Sequence, residues 1–220
     1  MLSHLDRILF PSRCEVIEII PSQRYVYVIF KNGYSSFLAY RTKNNQRVLF
    51  NQQIQKINTV DVIIRNPTDR LVSGINTYIQ HTIRDNPHLD IDTIKWFAQN
   101  YLYLDRHYQP QFCWILNLAR YLNTDATINF LPMEEIGNIT AGINSEAVGI
   151  DPAPTELAEQ ISKLQYSEMY QRIDTVIFDC IGKSLTFNEL LQHIKNTDSS
   201  AYEYVIGYSQ QILKPTYGLS

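Results

Sequence analysis

The stretch that decides the fold is residues 25–37, Tyr-Val-Tyr-Val-Ile-Phe-Lys-Asn-Gly-Tyr-Ser-Ser-Phe. Its first six residues are rich in β-branched and aromatic side chains, which is typical of a β-strand. Lys31-Asn32-Gly33 then indicates a turn, and residues 35–42 are predicted to be helical. A strand, a glycine turn and a helix start together present backbone N–H groups to an anion. The stretch therefore predicts an anion-binding loop at one end of a strand.

The Lys31-Asn32-Gly33 segment also has a second interpretation. Asn-Gly between alternating apolar runs is the strongest short-range signal for a β-hairpin turn, and on its own the segment slightly favours the hairpin. The segment does not match the Walker pattern Gly-x-x-x-x-Gly-Lys-Ser/Thr, because the lysine precedes the glycine. This disfavours an ordinary ATPase or GTPase and leaves the choice between loop and hairpin to the rest of the chain.

A second strand and helix junction follows later in the chain. The apolar run 60–65 is predicted to be a strand, and residues 67–84, which begin at a proline, have helical apolar spacing. Arg65 leaves the carboxyl end of the strand and Ser73 lies about two turns into the helix, so both can meet one phosphate. Alternatively, Asp69 caps Arg65 and Ser73 is a small packing residue. On this segment alone, that alternative is at least as well supported.

The remaining pattern alternates strands and helices. Strands are predicted at residues 14–20, 126–130 and 175–181, and helices at 90–104, 110–121, 155–172, 186–195 and 200–213. Glycines and prolines in residues 137–154 predict a surface loop. Strands that alternate with helices imply an α/β fold, with a parallel sheet flanked by helices on both faces.

The length of the chain limits the number of domains, and its net charge limits the kinds of partner it can bind. A chain of 220 residues with 45% hydrophobic content has room for one substantial core, so residues 1–220 are predicted to form a single domain. The net charge of −3 supplies no overall basic field, which argues against non-specific nucleic-acid binding. Any anion site therefore has to be built from local charges.

Cysteines and hydropathy predict the compartment. Cys14, Cys113 and Cys180 are widely spaced and each is flanked by apolar residues, which predicts buried free thiols in a reducing compartment. Asp6 and Arg7 interrupt what would have to be the apolar part of a signal peptide, and no later stretch has the length of a membrane span. These features predict a soluble, cytoplasmic protein without a membrane span.

Taken together, the two junctions resemble a family signature. Lys-Asn-Gly-x-Ser-Ser after one strand and Arg-x-Pro-x-x-Arg-x-x-Ser after a later strand are similar to the two motifs of the sulfotransferases that use 3′-phosphoadenosine 5′-phosphosulfate (PAPS). Residues 105–111, Asp-Arg-His-Tyr-Gln-Pro-Gln, look like the Asp-x-His-x-x-Pro-Gln element of the carbohydrate-type branch. The resemblance covers residues 24–121. It implies a fold like that of the P-loop nucleoside triphosphate hydrolases and kinases.

The resemblance also implies which residues bind the nucleotide. In that family the first loop holds the 5′-phosphosulfate and the second segment holds the 3′-phosphate of the same nucleotide. The implied cofactor-binding residues are Lys31, Asn32, Gly33, Tyr34, Ser35, Ser36 and Phe37 in the first site, and Arg65 and Ser73 in the second. Arg70 is expected to have a structural or supporting role in the nucleotide pocket. No metal is expected.

Sulfuryl transfer needs positioning and charge stabilisation more than covalent work by the protein. Lys31 is expected to stabilise charge on the oxygen that bridges sulfur to the departing phosphate. The acceptor's proton needs a base with a pKa near the working pH, which favours a histidine. His107 is the candidate, and Asp105 is close enough in sequence to orient it or to act as the base. Alternatively, His107 is a partly exposed helix-cap residue.

The sequence therefore predicts a PAPS-dependent sulfotransferase that acts on an acceptor hydroxyl or amine, with a small soluble metabolite or a glycan as the candidate acceptor. Three alternatives stay open. The first is a small-molecule kinase, which the missing Walker lysine and the lack of an evident magnesium carboxylate disfavour. The second is a non-catalytic nucleotide-binding or interaction protein, and the third is a sulfotransferase that keeps its nucleotide pocket without a working base.

Overall fold

The structure is a computed structural model that describes residues 14–29, 31–44, 46–85, 88, 90–93, 95–96, 109–140, 156–165 and 168–207. Within these residues a six-stranded sheet organises the chain. The strands are β1 (Glu15–Ile19), β2 (Arg24–Tyr27), β3 (Arg47–Phe50), β4 (Thr59–Ile64), β5 (Thr127–Pro132) and β6 (Ser184–Thr186). Their order across the sheet is β3-β1-β2-β4-β5-β6.

The sheet is parallel at its centre and antiparallel at both edges. β2 pairs in parallel with β4, and β4 with β5. β1 runs antiparallel to both β2 and β3, and β6 runs antiparallel to β5. The predicted α/β fold is confirmed, but the sheet is mixed rather than purely parallel. One physical reason is the short turn Ile20–Ser22 between β1 and β2, since a parallel pair needs a long crossover and an antiparallel pair does not.

Helices connect and cover the strands. They are α1 (Tyr34–Asn44), α2 (Pro67–Asp85), α3 (Gln111–Ala119), α4 (Ile136–Ile139), α5 (Glu156–Gln165), α6 (Glu168–Phe178) and α7 (Phe187–Thr197), and residues 199–207 are helical as well. The helices predicted at 35–42, 67–84, 110–121 and 186–195 correspond to α1, α2, α3 and α7. The helix predicted at 155–172 is divided between α5 and α6.

Alternate residues of the central strands bury opposite faces of the sheet. Val60, Val62 and Ile64 of β4 belong to a buried cluster with residues of α3, α6 and α7. Ile63, between them, belongs to a second cluster that contains Phe37 of α1 and residue 139 of α4. Because both faces are buried, β4 reads as a nearly continuous apolar run, as central parallel strands do. The prediction of helices on both faces is confirmed.

The predicted strand at 175–181 is wrong, because these residues form the end of α6 and the turn after it. Ile173, Val176, Ile177 and Cys180 are buried, and this spacing of three, four and seven residues is that of one helix face. A short apolar run does not distinguish a buried strand from a buried helix end.

Two short edge strands, β3 and β6, were not predicted. β3 has four residues and β6 has three, which is too short for an alternating pattern to stand out. Most of the predicted helix at 90–104 lies outside the described residues, although residues 91–93 and 95–96 are helical. In the predicted loop at 137–154, the described part contains the end of α4, and residues 141–154 lie outside the described residues.

The three cysteines are free and buried, as predicted. Burial raises the pKa of Cys180 to about 11, and it raises the pKa values of Cys14 and Cys113 well above the usual range. All three are therefore neutral thiols at physiological pH. In the part of the chain that the structure describes, none of the helices combines the length and apolar character needed to cross a membrane.

A ladder of polar side chains joins four neighbouring strands. Arg24 Nε of β2 lies 2.7 Å from Asp61 Oδ2 of β4. Asn129 Nδ2 of β5 donates to Asp61 Oδ1 at 2.8 Å, and Ser184 Oγ of β6 donates to Asn129 Oδ1 at 2.7 Å. Asp61 is buried and both of its carboxylate oxygens accept a hydrogen bond. The ladder fixes the lateral register of the strands that carry the candidate site.

We expect Asp61→Ala to lower the free energy of unfolding by roughly 2–4 kcal/mol, because the substitution leaves Arg24 and Asn129 without their buried acceptor. Glu18→Ala is the matched control on β1. Glu18 pairs with Arg47 at 3.6 Å, and the Arg47 side chain is 62% exposed, so the expected loss is below about 1 kcal/mol. Urea denaturation measures both values. Equal losses for the two variants would contradict a structural role for the ladder.

Candidate functional site

The residues after β2 form a strand, turn and helix unit. Lys31 and Gly33 have positive φ angles of 68° and 83°, and α1 begins immediately afterwards at Tyr34. The next strand, β3, pairs with β1 and not with β2. The hairpin interpretation of Lys31-Asn32-Gly33 is therefore wrong, and the turn leads from a central strand into a helix.

Gly33 meets two requirements of this turn. Its φ of 83° lies in the left-handed region, which glycine adopts without steric cost. A Cβ atom added at this position would overlap the Cδ1 atom of Ile136 at the start of α4. The backbone at Gly33 is thus in close contact with the segment that follows β5. Phe37 N donates to Gly33 O at 3.1 Å, so the N–H groups of the first turn of α1 point toward the strand end.

The second segment meets the first at the carboxyl ends of β2 and β4. Arg65 follows β4 directly, and its Nη1 atom donates to the backbone oxygen of Lys31 at 3.0 Å. From the other side, Asn32 Nδ2 donates to Ile63 O at 2.8 Å. Two motifs that are separated by more than thirty residues in sequence are therefore in direct contact.

Lys31 reaches the helix that carries Ser73. Its Nζ atom donates to Thr77 Oγ1 at 2.7 Å, and Thr77 Oγ1 donates to Ser73 O at 3.0 Å. Ser73 is buried in α2. The ammonium group of Lys31 thus contacts α2 one helical turn after Ser73. Sequence reasoning had not identified Thr77, which has no motif of its own and is connected to the site only by the fold.

The start of α2 is capped by Asn66. Asn66 Oδ1 accepts from the backbone N–H groups of Thr68 and Asp69 at 3.0 and 3.2 Å, which is the usual arrangement of an asparagine N-cap. Arg70 is 2% exposed, and its N–H donates to Asn66 O at 2.9 Å. α1 begins directly after the turn that follows β2, and α2 begins directly after Arg65 and Asn66. The amino-terminal ends of both helices, which are the positive ends of their dipoles, are therefore next to the predicted anion site.

Gln111, the first residue of α3, is completely buried and connects both segments. Its Oε1 atom accepts from Asn32 Nδ2 at 2.6 Å and from Arg65 N at 2.9 Å, and its Nε2 atom donates to Arg65 O at 2.8 Å. Asp174 of α6 accepts from Gln111 N at 2.9 Å. The sequence analysis assigned no role to Gln111 or Asp174, although Gln111 ends the Asp-x-His-x-x-Pro-Gln element.

The other predicted site residues have different surroundings. Phe37 is fully buried in the core cluster between α1 and the sheet. Its side chain therefore packs against the core and holds α1 in place, and it does not face an anion site. Ser35 and Ser36 lie in the first turn of α1. Asp105 and His107 lie outside the described residues, which resume at Gln109. Within the described ranges, no group of three or more histidine, cysteine or acidic side chains is placed to hold a metal ion.

Comparison of the chain with models of known protein families, with curated proteins and with solved structures finds no significant match. The sulfotransferase resemblance and the P-loop-like classification therefore stay predictions. The local arrangement is a cationic junction in a chain whose net charge is −3. Lys31 and Arg65 come from two adjacent turns, and Arg70 is buried in the first turn of α2.

We expect Gly33→Ala to cost more stability than Gly182→Ala. The two glycines have nearly the same φ, 83° and 82°, but an added Cβ overlaps Ile136 at Gly33 and meets nothing within 4 Å at Gly182. Gly182→Ala should therefore cost only the left-handed backbone term of roughly 1–2 kcal/mol, and Gly33→Ala about 1 kcal/mol more. Urea unfolding measures the difference.

The double variant Gly33→Ala with Ile136→Ala separates the two causes. The loss of unfolding free energy caused by Ile136→Ala alone is first subtracted from that of the double variant. The remaining loss should then equal that of Gly182→Ala, because the overlap with Ile136 is gone and only the cost of the left-handed backbone is left. If Gly33→Ala and Gly182→Ala lower the free energy of unfolding equally, Ile136 does not support the turn.

Proposed function

We propose that the chain binds PAPS at the junction of β2, α1, β4 and α2, and that it transfers the sulfuryl group to a hydroxyl or amine of an acceptor. One observation carries the proposal: Arg65 Nη1 lies 3.0 Å from Lys31 O. The two segments that resemble the phosphosulfate and 3′-phosphate motifs are thus close enough for one nucleotide to contact both. Parallel pairing of β2 with β4 places the two turns at one edge of the sheet, and the hydrogen bond from Arg65 brings the two motifs themselves into contact there.

The 5′-phosphosulfate is proposed to bind at residues 31–36. The positive φ angles at Lys31 and Gly33 turn the backbone so that the first turn of α1 can direct N–H groups at an anion, and the helix dipole favours negative charge there. A side chain at position 33 would meet Ile136, which is consistent with a turn that has to stay narrow. Lys31 adds the positive charge.

The 3′-phosphate is proposed to bind beside Arg65 and Ser73. A guanidinium group forms paired hydrogen bonds with a phosphate, which a lysine does not. Arg65 lies where β4 ends and α2 begins, and the carboxyl ends of parallel strands are where α/β proteins bind ligands. Arg70 is buried at the start of the same helix, so its role in the proposal is to support the segment.

In the proposed reaction, the acceptor oxygen or nitrogen attacks sulfur as the bond from sulfur to the bridging phosphate oxygen breaks. The electron pair stays on that oxygen, and the product is adenosine 3′,5′-bisphosphate. Lys31 stabilises the charge that develops there. The proton of the acceptor goes to a base, for which His107 and Asp105 are the candidates. The saccharide or small-molecule nature of the acceptor is part of the same proposal.

Calorimetric titration with adenosine 3′,5′-bisphosphate tests the nucleotide site. We expect saturable binding that Lys31→Ala and Arg65→Ala each weaken by roughly 10–100-fold, because each substitution removes a charge-assisted contact. With 5′-AMP, which lacks the 3′-phosphate, Arg65→Ala should have little further effect.

Lys43→Ala and Arg47→Ala are the matched controls for lost charge. Both residues are exposed, at the far end of α1 and on the edge strand β3, and neither substitution should change the affinity by more than about twofold. No binding of adenosine 3′,5′-bisphosphate to the wild type would overturn the sulfotransferase proposal and leave a non-catalytic protein as the better interpretation.

His107→Gln tests the proposed base. With radiolabelled PAPS and 4-nitrophenyl glycosides as model acceptors, we expect the substitution to lower kcat by roughly 10²–10⁴-fold, the usual contribution of a general base. The affinity for adenosine 3′,5′-bisphosphate should be unchanged. His193→Gln is the control, because His193 lies on α7 and belongs to neither anion-binding segment. Its Nε2 atom is 3.2 Å from Nζ of Lys183, the residue before β6. A full rate in His107→Gln would assign the proton transfer to another residue.

A further inference from the structure

We propose that Gln111 is a positioning residue whose carboxamide sets the spacing between the two anion-binding segments. The identity of the ligand rests on the proposed function. The positioning role itself rests on the hydrogen bonds of the described residues. Gln111 is fully buried and hydrogen-bonds to both segments: to Asn32 in the first, and to Arg65 N and O in the second.

The carboxamide takes the place of strand pairing where that pairing ends. The ladder between β2 and β4 stops at Tyr27 and Val62, although the chain continues toward the site on both sides. Beyond this point side-chain amides supply the hydrogen bonds. Asn32 Nδ2 donates to Ile63 O at 2.8 Å, and Gln111 bonds to Arg65 through one donor and one acceptor. A carboxamide matches a peptide group in this respect, so it can hold a backbone as a neighbouring strand does.

Gln111 is itself held from the far side of the core. The N-cap of α3 is Pro110, which makes no side-chain cap hydrogen bond. Asp174 of α6 accepts instead from Gln111 N and Phe112 N, at 2.9 and 3.1 Å. Asp174 is 1% exposed. The carboxylate therefore fixes the first turn of α3, and the first turn of α3 fixes the carboxamide. The two segments are thus supported by residues that are buried in the core.

The consequence concerns ligands with two phosphates. A ligand that bridges both segments gains from its second phosphate only if the spacing matches its length, whereas a ligand with one phosphate does not depend on that spacing. Loss of the carboxamide should therefore reduce the preference for adenosine 3′,5′-bisphosphate over 5′-AMP. A general loss of stability in α3 changes the amount of folded protein but not this ratio.

The experiment compares Gln111→Met with Asn117→Leu. Methionine keeps the length and the apolar stem of Gln111 without its hydrogen bonds. Asn117 is a second fully buried polar residue of α3, and its carboxamide lies beside Tyr27 of β2, which belongs to neither segment. We expect Gln111→Met to lower the preference for the 3′-phosphate by about tenfold or more, measured by calorimetry on folded protein. Asn117→Leu should leave this preference within about twofold of the wild type.

A second readout does not use a ligand. In the wild type the Arg65 amide donates to Gln111 Oε1, so its hydrogen exchange, followed by NMR, should be slow. Gln111→Met should accelerate it by roughly tenfold or more, and Asn117→Leu should not. Gln111→Asn, which keeps the amide but is one methylene shorter, is the second variant. It should act like Gln111→Met.

The outcomes separate the two proposals. If the wild type has no preference for the 3′-phosphate, the proposed function fails, and the exchange of the Arg65 amide still tests the positioning role. If the preference exists and both Gln111 variants retain it, Gln111 is not a positioning residue and the proposed function stands. Fast exchange of the Arg65 amide in the wild type overturns the positioning role even if neither variant folds.

Discussion

The parallel pairing of β2 with β4 is the constraint on which the rest of the structure depends. Parallel neighbours have their carboxyl ends at the same edge of the sheet, so the turns after them are adjacent. The turn after β2 carries Lys31, and the turn after β4 carries Arg65. Had β2 paired with its successor as a hairpin, these two cations would have no reason to meet. The antiparallel strands at the edges extend the sheet without changing this arrangement.

Buried polar groups keep that pairing in one register. At the amino end of the parallel strands, Asp61 is bonded to Arg24 and to Asn129 across three strands. At the carboxyl end, Gln111 and Asn32 bond to the backbone beyond the ladder. A buried polar group costs free energy unless its partners are in position. Each end of the sheet therefore disfavours a slipped register, and a slip of one residue would also exchange the two buried faces of β4.

The same arrangement places cationic groups in a chain that is acidic overall. Lys31 is bonded to Thr77 and Arg65 to the backbone of Lys31, so both charges have defined positions before any ligand arrives. Preorganised charge of this kind is effective at binding anions, because little reorganisation is needed on binding. The buried cysteines, by contrast, have pKa values raised by burial and are inert.

The local elements of the site could be predicted because their signals are local. The apolar run 25–30, the glycine at position 33 and the proline at position 67 indicate strand, turn and helix within a few residues of chain. The prediction of a strand at 175–181 was wrong because its signal is not local. A short apolar run is compatible with a strand or with a helix, and the packing of Ile173 and Ile177 in the core favours the helix.

By itself, then, the sequence determined an α/β chain with a strand-to-helix junction at Pro67, a turn at Gly33 and three buried thiols. Only the tertiary structure decided that Lys31-Asn32-Gly33 is not a hairpin, that the edges of the sheet are antiparallel, and that Gln111 and Asp174 support the site. These features depend on contacts between residues that are 46 to 79 positions apart or on which strands become neighbours. Local propensity carries no information about such partners, because the free energy that selects them comes from burial and hydrogen bonding in the assembled core.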